Sequence, residues 1–457
     1  MQSNFIANEV RPSLSGRTLD IIDPSDGQVF DRLQRSNAED MESAVRAARH
    51  SFETLWRPMA AADRGRLLMR LSSAVTEHAI ELAALEQRDC GKPTRQARAD
   101  ALALARYFEF YAGACDKLHG ETLPYQEGTS VLTWREPHGV TGHVIPWNYP
   151  MQIFGRSVGG ALAAGNTCVI KPAEDACLSV LRVAQLAAEV GFPPGTINVV
   201  TGYGHEVGDA LARHPGIDHI SFTGSPSVGT LIAQAAAERH CPVTLELGGK
   251  SPQIVFADAD LDAALPAIVN AIVQNAGQTC SAGSRLLVER SLYEPLLERL
   301  GALFSKLRAG PAALDLDVGP LIRATQKERV LDFLAQAEAA GIATVARGSV
   351  VPEAPAGGFY AAPVLLRDVP ADHRLAQEEI FGPVLCAMAF DDEDHAVQLA
   401  NGTAFGLVAG VWTRDGARQM RMARRLQCGQ VFINNYGAGG GVELPFGGVK
   451  SSGYGRE

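Results

Sequence analysis

The sequence predicts an α/β protein of more than one domain, built on parallel sheets. Three observations carry this. Between Gly139 and Gly248, short apolar runs alternate with helical stretches in units of about 25–30 residues, the pattern of a buried parallel sheet with crossover helices. A second strand–helix alternation follows Gly249. The chain has 457 residues, 46% of them hydrophobic, which is too long for one ordinary core.

Residues 5–30 read as short strands and turns, with Asp23-Pro24-Ser25-Asp26-Gly27 as a turn cluster. From Asn37, the residues Met41, Ala44, Val45, Ala48 and Phe52 fall at helical spacing. Asn37 can cap this helix, with Asp40 three residues on. Further helices are expected over 62–88 and 96–116. The run Thr129–Pro137 is β-branched and aromatic, and a lone ribbon of this kind needs another surface to pack on.

Strands are then expected at Val144-Ile145, Thr167–Ile170, Ile197–Val200 and His219–Phe222, with helices over 151–164, 178–190, 207–213 and 227–237. The second region offers strands at Pro252–Phe256, Arg285–Val288 and 342–346, and helices over 262–276, 292–307 and 324–337.

Net charge is -10, which gives no basic footprint for nucleic acid. The eight cysteines are scattered without a CxxC pair, so neither a disulfide framework nor a metal site is expected. The N-terminus lacks the pattern of a secretory signal, and no apolar run is long enough to span a membrane. A cytoplasmic protein is the expectation.

The segment Phe222-Thr223-Gly224-Ser225-Pro226-Ser227-Val228-Gly229 follows a strand and opens a helix, where backbone N–H groups can hold a pyrophosphate. Its spacing is not the usual dinucleotide fingerprint. Lys171-Pro172-Ala173-Glu174 lies at the carboxyl end of a strand, where ligands of open α/β sheets collect. Glu174 can accept from both ribose hydroxyls of an adenosine and would repel a 2′-phosphate. NAD is therefore expected over NADP. Glu379 and Phe381, in Glu378-Glu379-Ile380-Phe381-Gly382-Pro383, are candidates for the nicotinamide half.

Cys280, in Gly277-Gln278-Thr279-Cys280, is the candidate nucleophile. A thiolate can add to an aldehyde carbon, and the resulting oxyanion can expel hydride and leave a thioester. A helix start near Cys280 would favour the thiolate. Asn148, in Pro146-Trp147-Asn148-Tyr149-Pro150, offers a neutral amide N–H to the oxyanion, and the Cys280 backbone N–H a second donor. Glu246, in Glu246-Leu247-Gly248-Gly249-Lys250, can act as general base toward water. The two glycines are expected to let the backbone bend. A thiol esterase without cofactor would leave the Lys171–Glu174 and Glu379–Phe381 segments without purpose.

Together, these segments resemble the NAD(P)-dependent aldehyde dehydrogenase superfamily along the chain from Asn4 to Glu457. The resemblance implies a Rossmann-like NAD-binding domain (1–118 and 138–248), an α/β catalytic domain (249–448, with residues 430–448 as a tunnel loop), a small β oligomerisation arm (119–137), and a return of 449–457 to the cofactor domain. It implies Cys280, Glu246 and Asn148 as catalytic residues. Lys171, Glu174, Gly224, Ser225, Gly229, Trp147, Glu379 and Phe381 are implied as cofactor contacts. The presence of Glu246 favours hydrolysis to the free acid over transfer to coenzyme A. Family members usually continue past Gly455-Arg456-Glu457, which makes a homodimer as open an expectation as a homotetramer.

For the substrate, a small aldehyde, Met151, Gln152 and Arg156 are candidate tunnel residues, with Tyr149 and Phe446. An arginine at the position of Arg156 binds the remote carboxylate in succinate semialdehyde dehydrogenases of this family. A salt bridge to a protein carboxylate is the alternative. The glycine-rich loop 436–444 would suit an aromatic aldehyde, and Glu443 an aminoaldehyde.

Overall fold

The structure, a computed structural model, describes residues 1–437 and 441–457. Part of the expected tunnel loop, Ala438 to Gly440, lies outside the described residues.

Two sheets organise the chain. The first has eight strands. Its centre is five parallel strands in the spatial order Ile197–Val199, Thr167–Pro172, Val140–Ile145, His219–Thr223 and Val243–Glu246. Every residue of Thr167–Pro172 is buried, as expected of a strand covered on both faces. The chain steps outward from Val140–Ile145 in one direction and restarts on its other side with His219–Thr223. The switch point therefore lies between these two strands, and the crevice at their carboxyl ends is where such sheets bind ligands.

The second sheet has seven strands, in the order Thr344–Arg347, Val364–Leu366, Val384–Phe390, Arg285–Glu289, Pro252–Val255, Val408–Trp412 and Gln430–Ile433. All pairs are parallel except the first. Near the C-terminus, Gly453–Tyr454 joins the edge of the first sheet beside Val243–Glu246.

The expected cap is present. Asn37 Oδ1 accepts from the backbone N–H of Asp40, and the Asp40 carboxylate accepts from the N–H of Asn37. Two helical expectations need correction. The stretch 62–88 is two helices, Ala61–Glu77 and Ala79–Cys90, hinged at His78. The helix after Tyr149 contains a wide π turn, Phe154–Val158, between Pro150–Ile153 and Gly159–Ala163. One extra residue in a turn is invisible to a periodicity argument, and such turns recur at functional sites. Arg156 sits in this one.

Thr122–Leu123 and Val131–Leu132 form the expected antiparallel ribbon. It leaves Leu123, Tyr125, Leu132 and Trp134 exposed.

Candidate active site

Cys280 does not begin a helix. It lies in a turn after the short 3-10 segment Gln274–Gly277, and the next element is the strand Arg285–Glu289. Asn275, Ala276 and Gly277 all take positive φ, at 47°, 54° and 74°. A Cβ on Gly277 would come within 2.3 Å of the Gly382 carbonyl, so only glycine allows this close approach to the Phe381-Gly382-Pro383 segment. Gln278 is buried and braces the turn. Its Oε1 accepts from Ile322 N–H (2.9 Å) and its Nε2 donates to the Asn275 carbonyl (3.1 Å).

Asn148 is held against this turn from both sides. Its Nδ2 donates to the Gln278 carbonyl (3.0 Å), and its carbonyl accepts from Asn275 Nδ2 (2.8 Å). One amide proton is thereby committed and fixes the plane of the amide. The second amide proton has no acceptor among the described residues.

Glu246 ends a strand of the first sheet, and Gly249 lies just after it. A Cβ on Gly249 would stand 2.2 Å from the Cys280 carbonyl, and one on Gly248 would stand 2.5 Å from Glu379 Oε2. Neither glycine has positive φ among the described residues. The lack of a Cβ at these two positions allows the close approach to Cys280 and Glu379.

Electrostatics follow from burial. Both Glu246 carboxylate oxygens are buried without a hydrogen-bond partner among the described residues. Burial pushes this carboxyl up to about 8 against the pull of Arg156. Burial pushes the Cys280 thiol up to about 12, with Arg156 the main opposing charge. Burial also pushes Glu379 up to about 7, although its Oε1 accepts from Gly249 N–H at 3.0 Å.

A cleft of about 510 Å³ opens at the switch point. Trp147, Asn148, Gly224, Ser225, Glu246, Cys280, Glu379 and Phe381 all line it. Ser225 caps the helix Pro226–Ala237, whose N-terminus faces the cleft. The Phe381 and Trp147 rings meet edge to face, with centroids 5.3 Å apart. Lys171 and Glu174 lie outside the lining, at the carboxyl end of the neighbouring strand, and pair with each other at 2.9 Å. Burial works to raise the Glu174 carboxyl, and Lys171 overrides it. Gly229 is not a cleft residue. It is buried in the helix, where a Cβ would meet Leu247 at 2.6 Å.

Three cleft residues went unread in the sequence. Gln326 and Arg329, three apart on the helix Ala324–Ala339, share one face. Gln326 Nε2 donates to the Phe381 carbonyl (2.7 Å) and Arg329 Nη2 to the Glu379 carbonyl (2.6 Å). Phe405 is the third. Only the helical spacing of the first two offered a signal.

Beyond Cys280 lies a smaller pocket of about 30 Å³. Tyr149, Gln152, Arg156 and Phe446 line it, with Tyr107 and Ile153. Met151 does not, being wholly buried in the core. Arg156 has a protein partner, since its Nε donates to Glu457 Oε2 at 2.9 Å and its guanidinium stacks over Phe446 at 4.4 Å. Glu443 is half exposed, pairs with Arg106 and is not among the residues lining this pocket.

A thiol, a side-chain amide, a buried carboxylate without a hydrogen-bond partner among the described residues and a cleft of about 510 Å³ thus meet at one sheet junction. The sequence profile of the Aldehyde dehydrogenase family matches residues 11–457. The chain belongs to the aldehyde dehydrogenase family. A crystal structure from Burkholderia cenocepacia, described as an aldehyde dehydrogenase, superposes with a TM-score of 0.99 at 71% identity, covering 99% of this chain and 95% of that one. The indole-3-acetaldehyde dehydrogenase AldA of P. syringae, solved as a mutant with NAD+ and IAA, superposes at 0.96 and 40% identity, covering 100% and 93%. Retinal dehydrogenase 2 of Homo sapiens is 42% identical over 458 residues, 99% of this chain and 88% of that protein. The α/β architecture predicted from the sequence is the one these aldehyde dehydrogenase structures share.

Proposed function

We propose that this aldehyde dehydrogenase oxidises a neutral aldehyde, in first place an aromatic one, to the free carboxylic acid with NAD. The observation that carries the hydrolytic outcome is Glu246, buried beside Cys280 with both oxygens unpartnered. Such a carboxylate can take a proton from water, and nothing else in its surroundings satisfies it.

The cleft fits the cofactor. Its position at the switch point, the helix N-terminus behind Ser225 and the Glu379 carboxyl on its lining suit a pyrophosphate and a ribose. Trp147 and Phe381 would flank the nicotinamide half, and Glu174 and Lys171 the adenosine ribose. When bound, NAD supplies the hydride acceptor. The chain does the rest. The Cys280 thiol releases its proton to solvent, and the thiolate adds to the aldehyde carbon. Asn148 Nδ2 and the Cys280 N–H stabilise the oxyanion of the thiohemiacetal. After oxidation to the thioester, Glu246 draws a proton from water, and the hydroxide so formed releases the acid.

For the substrate, the Glu457 carboxylate already neutralises Arg156. That weakens the case for a semialdehyde such as succinate semialdehyde, whose acid group would need this charge. The rings of Tyr107, Tyr149 and Phe446 around the pocket suit an aromatic tail, in keeping with an indole-bearing substrate for the AldA relative. An aminoaldehyde loses its attraction once Glu443 pairs with Arg106. The exposed ribbon at 122–132 is proposed to pack on a second copy in a homodimer or homotetramer. Among the described residues no helix is long and apolar enough to cross a membrane.

NADH formation with benzaldehyde, succinate semialdehyde and an aminobutyraldehyde tests the substrate. Preference for benzaldehyde is expected, and preference for succinate semialdehyde would restore Arg156 as a carboxylate clamp.

A further inference from the structure

Behind the pocket lies a charge cluster that the reaction does not use. Lys92 is fully buried, as is Glu86. The Lys92 ammonium donates to Glu86 Oε1 at 2.8 Å and to Asp100 Oδ2, and it stands 4.0 Å over the Tyr149 ring. A buried charge of this kind demands fixed partners.

The other oxygen of Asp100 reaches the pocket wall. Gln152 Nε2 donates to Asp100 Oδ1 at 2.5 Å. A carboxylate only accepts, so the amide nitrogen must face Asp100. The amide oxygen then faces the other way. Gln152 lines the pocket, and its Oε1 has no hydrogen-bond partner among the described residues and is not sealed from the pocket. Tyr149 is held likewise, by Lys92 beneath its ring and by Thr279 Oγ1, 3.0 Å from its hydroxyl.

We propose that Lys92, Glu86 and Asp100 are positioning residues that set the hydrogen-bonding polarity of the substrate pocket, so that Gln152 presents an acceptor and selects aldehydes whose tail carries a hydrogen-bond donor. This rests on the aldehyde-oxidising reading of the pocket and narrows its substrate class to tails such as a phenol or a ring N–H.

The cluster makes Asp100→Asn informative. Lys92 can only donate, so the new amide keeps its oxygen on Lys92 and turns its nitrogen toward Gln152. Gln152 must then rotate, offering its oxygen to Asn and its nitrogen to the pocket. The pocket becomes a donor without change of volume.

The experiment compares para-hydroxybenzaldehyde with para-methoxybenzaldehyde, which share an acceptor oxygen and differ in the donor. The ratio of their kcat/KM values is measured for the wild type, Asp100→Asn and Gln152→Leu, with melting temperature and NAD affinity as folding checks. Calorimetric binding of para-hydroxybenzoate and para-methoxybenzoate to the NAD-loaded wild type is measured alongside and needs no turnover. The expected result is a ratio that favours the hydroxyl and falls about tenfold in both variants, the scale of one neutral hydrogen bond. The same order is expected for the acids. An unchanged ratio in folded variants, or an equal loss for both aldehydes, would overturn the proposal and leave the cluster a purely structural role. No turnover of either aldehyde by the wild type would count against the aldehyde reading, while calorimetry would still decide the polarity of the pocket.

Discussion

Arg156 and Glu457, 301 residues apart in the chain, share a buried ion pair at 2.9 Å, and Arg156 lines the same pocket as Cys280. Arg156 is also the largest charge opposing the upward push of burial on both Cys280 and Glu246. One guanidinium therefore supports the fold, the nucleophile and the base. Arg156→Met leaves Glu457 buried and unpaired. It is expected to cost about 3–5 kcal/mol in chemical denaturation. It should also move the pH dependence of Cys280 alkylation by iodoacetamide to higher pH. An unchanged alkylation profile in the folded variant would show that Arg156 acts on stability alone.

Glu246 gives a pH prediction with a definite sign. Its carboxyl titrates at about 8 in the folded chain, against 4.5 for an ordinary glutamate. Deacylation needs the ionised form, so steady-state turnover should climb through about pH 8. Between 4.5 and 8 the folded state binds the extra proton. Stability is therefore lost as pH rises through this window, and the loss is complete above about 8. Glu246→Gln removes the penalty, and its stability relative to the wild type should grow with pH. The variant should retain a burst of NADH while steady-state turnover falls about 10²–10⁴-fold. Loss of the burst together with turnover would place Glu246 in the acylation step instead.

Asn148 is committed by one amide proton to the Gln278 carbonyl, and the proposed mechanism gives the other to the oxyanion. Asn148→Ala should lower the burst rate about 10²–10³-fold, the usual value of one oxyanion donor. Stopped-flow measurement of the burst separates this from slow hydrolysis. A normal burst with slow turnover would move the role of Asn148 to the second half of the reaction.

These three candidate residues were legible because each sits in a short contiguous segment whose chemistry is local, and the structure brings all three to one cleft. Cys280 and Glu246 need only a thiol and a carboxylate, and the glycines around them mark close packing. What stayed hidden depends on long range or on geometry. Glu457 gave no sign of reaching Arg156 across the whole chain. Lys92 fell between the helices expected over 62–88 and 96–116 and drew no reading, yet its ammonium is buried against the Tyr149 ring. The π turn that places Arg156 adds one residue to a helix without changing its composition. Cys280 lies in a turn and no helix starts there, because three consecutive positive φ values turn the chain just before it.

Gly249 tests how tightly the base segment and the nucleophile turn are joined. A Cβ there would lie 2.2 Å from the Cys280 carbonyl, which is backbone and cannot swing away. Gly249→Ala should destabilise by about 1–3 kcal/mol and reduce turnover by displacing Cys280. Gly416→Ala, where nothing lies within 4 Å, is the control and should stay within about 0.5 kcal/mol. Equal melting temperatures and activities for the two variants would mean that the turn can relax without loss.

Glu174 and Lys171, paired at 2.9 Å, should decide which dinucleotide is used. The Glu174 charge would oppose a 2′-phosphate on the adenosine ribose, and it also pairs with the Lys171 ammonium. Glu174→Gln removes the repulsion and releases Lys171 in the same step. The two effects act in one direction, so the ratio of kcat/KM for NADP to that for NAD should rise at least about tenfold, equivalent to about 1.4 kcal/mol. Part of the rise should come from weaker use of NAD, because a neutral amide accepts the ribose hydroxyls less strongly than a carboxylate does. High salt should screen the repulsion in the wild type and leave the variant little changed. If the ratio stays where it was while the variant binds NAD as well as the wild type, the adenosine ribose does not rest on this pair.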